Sequence, residues 1–135
     1  MGEARARRTR VLVVEDDTEV RRRILWTLRS HGFRAEGVAD GVRAMARLQH
    51  GNFDAVVTDL RMIRVHGLNL PQEIRRMKGF PPVMVYTGAL DPSPGAWLRE
   101  KGVFCVQMRE GPIGDLLRTV DEACRAFQPR WARCP

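Results

Sequence analysis

Along the chain, short β-branched apolar runs alternate with stretches whose apolar residues recur at helical spacing. Positions 10–14 form a run of strand length with three valines and no turn residue, the pattern of a strand covered on both faces. Similar runs occupy 54–58, 82–87 and 103–108, whereas 33–38 is more polar and suits an edge strand. Between them the spacing predicts helices. Thr18 is expected to cap the first, with Val20, Ile24 and Leu28 on one stripe and Gly32 after its end. Asp40 is expected to cap the second, which carries Val42, Met45, Ala46 and Leu48 and is followed by Gly51. A third covers 68–77 with Ile74 and Met77 inward, Pro71 being tolerable only near its first turn. A short fourth spans 96–101 after Pro92 and Pro94. The fifth is the clearest, with Ile113, Leu116, Leu117, Val120, Cys124 and Phe127 in helical register before Pro129.

Strand–helix alternation of this kind implies right-handed crossovers and a parallel sheet with helices on both faces. The expected fold is α/β, a flavodoxin-like (βα)5 three-layer sandwich whose five-stranded parallel sheet has the order 2-1-3-4-5. A basic leader at 1–9, one domain at 10–128 and a tail at 129–135 account for the 135 residues.

In such a sheet the ligand site lies beyond the carboxyl ends of the strands, where strand order reverses. Glu15, Asp16 and Asp17 follow the first strand, Asp59 the third, and Thr87 and Gly88 the fourth. Asp17 reads as a helix cap. The remaining acids, brought together, repel and raise one another's pKa. A hard dication removes that penalty, and Mg²⁺ takes a few carboxylates, a carbonyl and waters.

Net charge is +7, with arginine far in excess of lysine. The arginines spread over leader, first helix and tail, and no helix-turn-helix, zinc finger or aromatic–basic ribbon accompanies them. They are read as solvated faces, which disfavours a nucleic-acid partner. Cys105 and Cys124 fall at apolar-face positions and Cys134 in the tail, without a CxxC pair, which argues against a disulfide framework or zinc. No apolar run approaches the roughly 20 residues of a membrane helix, and no signal peptide is visible, so a cytoplasmic location away from the membrane is expected.

The segments VLVVEDD at 11–17, FDAVVTDLRM at 53–62, HGL at 66–68 and PPVMVYTG at 81–88, with the closing helix, resemble the receiver domains of two-component response regulators, of the single-domain, chemotaxis-regulator-like kind. The resemblance runs over about 10–127. It implies that Asp59 is the phospho-accepting aspartate and that Asp16 and Asp59 bind Mg²⁺ directly. Glu15 would act through water, and Arg61 would offer its backbone carbonyl. Thr87 matches the hydroxyl residue that bonds the phosphoryl group, with Gly88 beside it. The implied partners are a sensor histidine kinase or phosphotransfer protein, and a downstream protein docking on the face made by the 96–101 helix, the 103–108 strand and the closing helix. A homodimer stays open.

The chain departs from the family pattern at several places. Met108 occupies the position of the lysine that ends strand five, and Arg109 that of the following proline; Arg109 is the residue left to reach the phosphoryl group. Ile63 replaces a common proline, and Cys105 stands where an aromatic couples to the Thr87 position. The expected function is a stand-alone receiver phosphorylated on Asp59, an enzyme only toward its own phosphorylation and dephosphorylation. The alternative is a divergent receiver that acts by phosphorylation-independent docking. An aspartate-nucleophile phosphohydrolase fits less well, because Leu60 and Arg61 follow Asp59 in place of a DxD motif. A flavin or nucleotide binder fits less well too, because acids at 15–17 repel phosphate.

Overall fold

The computed structural model describes residues 9–59, 70–77, 79–87, 105–108 and 113–126. In chain order these form β1 (Arg10–Val14), α1 (Thr18–Ser30), β2 (Arg34–Val38), α2 (Gly41–His50), β3 (Ala55–Thr58), α3 (Leu70–Arg75), β4 (Val83–Thr87), β5 (Cys105–Met108) and α4 (Ile113–Ala126). The sheet is parallel throughout its pairings, with the order β2-β1-β3-β4-β5 expected from the alternation. The short helix expected at 96–101, positions 103–104, Phe127 and most of the leader and tail, Cys134 included, lie outside the described residues.

Every described side chain of β1 from Val11 onward is buried, because both sheet faces are covered. Alternation sends Val11 and Val13 to one face, where they meet Ile24 and Leu28 of α1 and Leu116 and Val120 of α4. Leu12 and Val14 go to the other, against Ala44 and Leu48 of α2 and Leu70 and Ile74 of α3. Two separate cores, one per face, make the three layers. β2 closes one edge and is the least buried of the strands whose side chains are described, as its polar sequence requires.

Helix ends follow local chemistry. Asp17, not Thr18, is the N-cap of α1: its Oδ1 accepts from the N–H groups of Glu19 (2.9 Å) and Val20 (3.1 Å), and Thr18 is already helical. Gly32 ends the helix at φ 89°, and Phe33 N–H reaches back to Leu28 O at 3.1 Å. Only glycine takes that left-handed turn without strain, and it drops Phe33 into the core beside Leu28. Asp40 caps α2 through Arg43 N–H at 2.8 Å, as expected.

The face of α2 differs from the expectation. Val42 is 76% exposed and Ala46 is exposed, while Gly41, Ala44 and Leu48 are buried. Ala44, Leu48 and the half-buried Met45 define the inward stripe, and Val42 lies off it by two positions of helical rotation. The third helix is described over Leu70–Arg75, with Pro71 near the start of that range, and positions 68–69 of the expected helix lie outside the described residues. Thr9, assigned to the leader by sequence, is buried and accepts Arg34 N–H at 2.9 Å.

Candidate functional site

The carboxyl edge of the sheet gathers the acids through strand register. Val14 of β1 pairs with Thr58 of β3, so Glu15 and Asp59 leave the sheet side by side. Backbone bonds hold the two exits: Glu15 N–H donates to Val38 O at 3.0 Å and Asp59 N–H reaches Val14 O at 3.4 Å. Glu15 and Asp59 are buried, and Asp16 beside them is exposed. One carboxylate oxygen from each of Glu15, Asp16 and Asp59 lies within 4.8 Å of the other two. Asp17 stands apart from this group, its oxygen engaged in capping α1.

Three carboxylates at this spacing, two of them buried, form an all-oxygen donor set that suits a hard divalent cation. Ligands on opposite sides of an octahedral Mg²⁺ are roughly 4 Å apart, so the cluster is on the scale of one ion's shell. Softer ions that favour thiolate or imidazole find no such donor in the cluster. The residues present therefore fit Mg²⁺.

Two residues that the sequence reading passed over support this edge. Arg21 of α1 donates from Nη1 to the backbone carbonyl of Glu15 at 2.7 Å. Its aliphatic stem passes Gly37 of β2, where an added Cβ would stand 3.0 Å from Arg21 Cγ and Cδ and 2.8 Å from Leu25 Cδ1. Gly37 thus leaves the lane through which Arg21 reaches the turn carrying Glu15 and Asp16. The only sequence signals were an arginine one turn into the helix and a glycine inside a strand.

On the other side of the edge, Thr87 ends β4 and pairs in register with Met108, the last residue of β5. Both backbones stand at the same carboxyl edge as Asp59. Arg61, Ile63, Gly88 and Arg109 lie outside the described residues, as do the side chains of Thr87, Cys105 and Met108.

Against known proteins, the family model of the response regulator receiver domain matches residues 11–104. This chain belongs to the response regulator receiver family. Its matched segment is 33% identical over 78 residues to the transcriptional regulatory protein TcrA of Mycobacterium tuberculosis, covering 58% of this chain and 31% of that protein. It is 36% identical over 78 residues to the response regulator MprA of Mycobacterium sp. strain KMS, covering 58% of this chain and 34% of that one. The matches thus span about a third of the length of these curated relatives. Among solved structures, the chemotaxis response regulator CheY4 of Vibrio cholerae superposes with a TM-score of 0.74 at 25% identity, covering 85% of this chain and 98% of that one. The BeF3-activated receiver domain of Klebsiella pneumoniae RstA gives 0.77 at 23% identity, covering 87% and 99%, a likeness of fold.

Receiver domains are the modules through which two-component systems pass signals, and they interact with histidine kinases or phosphotransfer proteins. Among the described residues, no helix of this receiver is long and apolar enough to cross a membrane.

Proposed function

We propose that this receiver accepts a phosphoryl group on Asp59, with Mg²⁺ held by Asp16 and Asp59 directly and by Glu15 through water. The observation that carries the reading is the meeting of Glu15, Asp16 and Asp59 oxygens within 4.8 Å at the point where strand order reverses. An Asp59 carboxylate oxygen attacks the phosphorus of a phosphohistidine on a partner kinase or phosphotransfer protein. The P–N bond breaks as the P–O bond forms, and the imidazole leaves to take a proton. Bound Mg²⁺ supplies charge neutralisation at the transferring oxygens. The protein's share is position: Val14 and Val38 carbonyls fix the two strand exits, and the Arg21 guanidinium holds the Glu15 peptide. Arg61 is assigned a carbonyl ligand role, and Thr87 and Gly88 phosphoryl contacts, on family resemblance. The output is protein–protein contact from a cytoplasmic domain, through the face made by 96–101, β5 and α4.

Met108 motivates a second reading. A thioether offers no hydrogen bond to a phosphoryl oxygen, so the ion pair that normally couples acceptor and switch is missing unless Arg109 replaces it. In that reading the receiver docks its target with little dependence on phosphorylation.

Incubation with Mg²⁺ and either acetyl phosphate or beryllofluoride separates the two. A mass or spectral change in the wild type that Asp59→Ala abolishes supports phosphoryl acceptance. No change in either protein, with Mg²⁺ still bound, supports docking. Equal Mg²⁺ affinity in the wild type and Asp16→Ala overturns the metal assignment.

A further inference from the structure

The opposite end of the molecule carries a surface that the phosphoacceptor site does not use. Trp26 of α1 is 72% exposed and, with Val42 of α2, is one of two large hydrophobic side chains that stand out from the described surface. It lines a hollow of about 450 Å³ with Arg22, Leu25, Arg29 and Ser30. Arg29 also lines a second hollow, about 370 Å³, with Arg10, Arg34, Ala35, Glu36 and Phe53. The two hollows share Arg29 in their walls, whose Nε and Nη2 donate to Ala35 O at 3.0 and 2.7 Å while Nη1 takes no part in those bonds.

Charge along this track is one-sided. Four arginines line it, at 10, 22, 29 and 34, of which Arg10 and Arg29 also act through charge on the Glu36 carboxylate. The one acid lining it, Glu36, is already held by two nitrogens of Arg47. Arg22 and Trp26 are one turn apart and Trp26 and Arg29 three residues apart, so the ring stands between two guanidinium groups on one helical stripe.

We propose that this track binds single-stranded nucleic acid. Arginine forks match phosphate oxygens, and an exposed aromatic ring between them offers a stacking platform that any base can use. Trp26 and the half-buried Leu25 are the apolar side chains of the first hollow, and in the second Phe53 is buried beneath the Arg10 guanidinium, 4.8 Å from the ring centroid. The track lies away from the acidic cluster, which would repel phosphate. The sequence reading disfavoured nucleic acid because no ribbon of alternating aromatic and basic residues was visible. The basic residues come together instead from α1 and the amino-terminal ends of β1 and β2, beside one exposed aromatic ring, Trp26.

The test is fluorescence anisotropy of a short labelled oligouridine strand with the full chain, beside a duplex of equal length and a polyglutamate peptide of equal charge. The strand should bind more tightly than duplex or peptide, and its affinity should fall steeply between about 50 and 200 mM salt. Trp26→Ala should weaken it roughly 10-fold, Trp26→Phe much less, and the pair Arg22→Glu with Arg34→Glu at least as much as Trp26→Ala. Asp59→Ala should leave binding unchanged, and circular dichroism should show each variant folded. Absence of binding overturns the proposal. So does Trp26→Ala binding like wild type, which reduces the surface to charge alone. Equal binding of polyglutamate replaces it with an acidic protein partner.

Discussion

At the scale of single residues, the acidic cluster sets opposing demands. Without a cation, buried Glu15 and Asp59 beside Asp16 repel one another, and the proposed Mg²⁺ would offset that repulsion. Asp59→Asn therefore raises thermal stability in EDTA, by roughly 1 kcal/mol on the scale of a charge pair at this distance. The same variant reduces the stabilisation that added Mg²⁺ gives the wild type. Thermal melts in EDTA and in Mg²⁺ check both signs, and a variant less stable than wild type in EDTA would show that repulsion is not the controlling term. The part played by Arg21 is equally open to measurement. Arg21→Ala removes the donor to Glu15 O and should weaken Mg²⁺ binding several-fold while leaving the fold intact. Gly37→Ala pushes against the Arg21 stem and Leu25 and should cost about 1 kcal/mol of stability, together with part of the same affinity.

The elements show how much local chemistry carries by itself. Asp17→Ala takes two N–H groups at the start of α1 back to water and should destabilise the domain by about 1 kcal/mol, with Mg²⁺ affinity little changed because Asp17 is not in the cluster. A denaturant titration with a parallel Mg²⁺ titration separates the two effects. Between β2 and α2, Arg47 holds the Glu36 carboxyl below the usual carboxylate range by direct hydrogen bonds and charge, with Arg10 and Arg29 adding to it and burial opposing. A depressed folded-state pKa means the pair stabilises the protein above the unfolded carboxylate pKa, near 4.3, and that contribution fades as pH falls through the lower folded value. Both side chains are more than a third exposed, so Glu36→Gln should cost only about 0.5 kcal/mol at neutral pH and almost nothing at low pH. Caps and the Gly32 turn were legible in sequence because each depends on residues a few positions apart. On α2, where Met45 and Leu48 face inward as expected but Val42 and Ala46 do not, the cause was the opposite. Val42 is as apolar as Leu48, but the sheet chooses which stripe is buried, and it chose Ala44.

For the whole molecule, the sheet register decides which distant residues meet. Thr87 and Met108 are register partners at the carboxyl edge, and by resemblance to the family Met108 holds the place of its lysine. Met108→Lys is expected to strengthen the response to acetyl phosphate at least several-fold, read as phosphorylated fraction by mass spectrometry, if the phosphoacceptor reading holds. An unchanged fraction would mean that Arg109 or another group already serves. The core tolerates no comparable freedom: Leu28→Ala, in a site with no exposed surface, should cost roughly 3 kcal/mol.

Sequence alone determined the five strands, the parallel sheet with its order and the identity of the acids, because each of these rests on periodicity, valine-rich runs or a residue's own chemistry. It did not determine how close Glu15, Asp16 and Asp59 come, that Arg21 threads past Gly37 to hold their turn, or that Arg29 stands between Trp26 on one side and Arg10 and Arg34 on the other. Those facts depend on crossovers that bring together residues tens of positions apart. Only the closed packing of two helix layers on one twisted sheet fixes such distances.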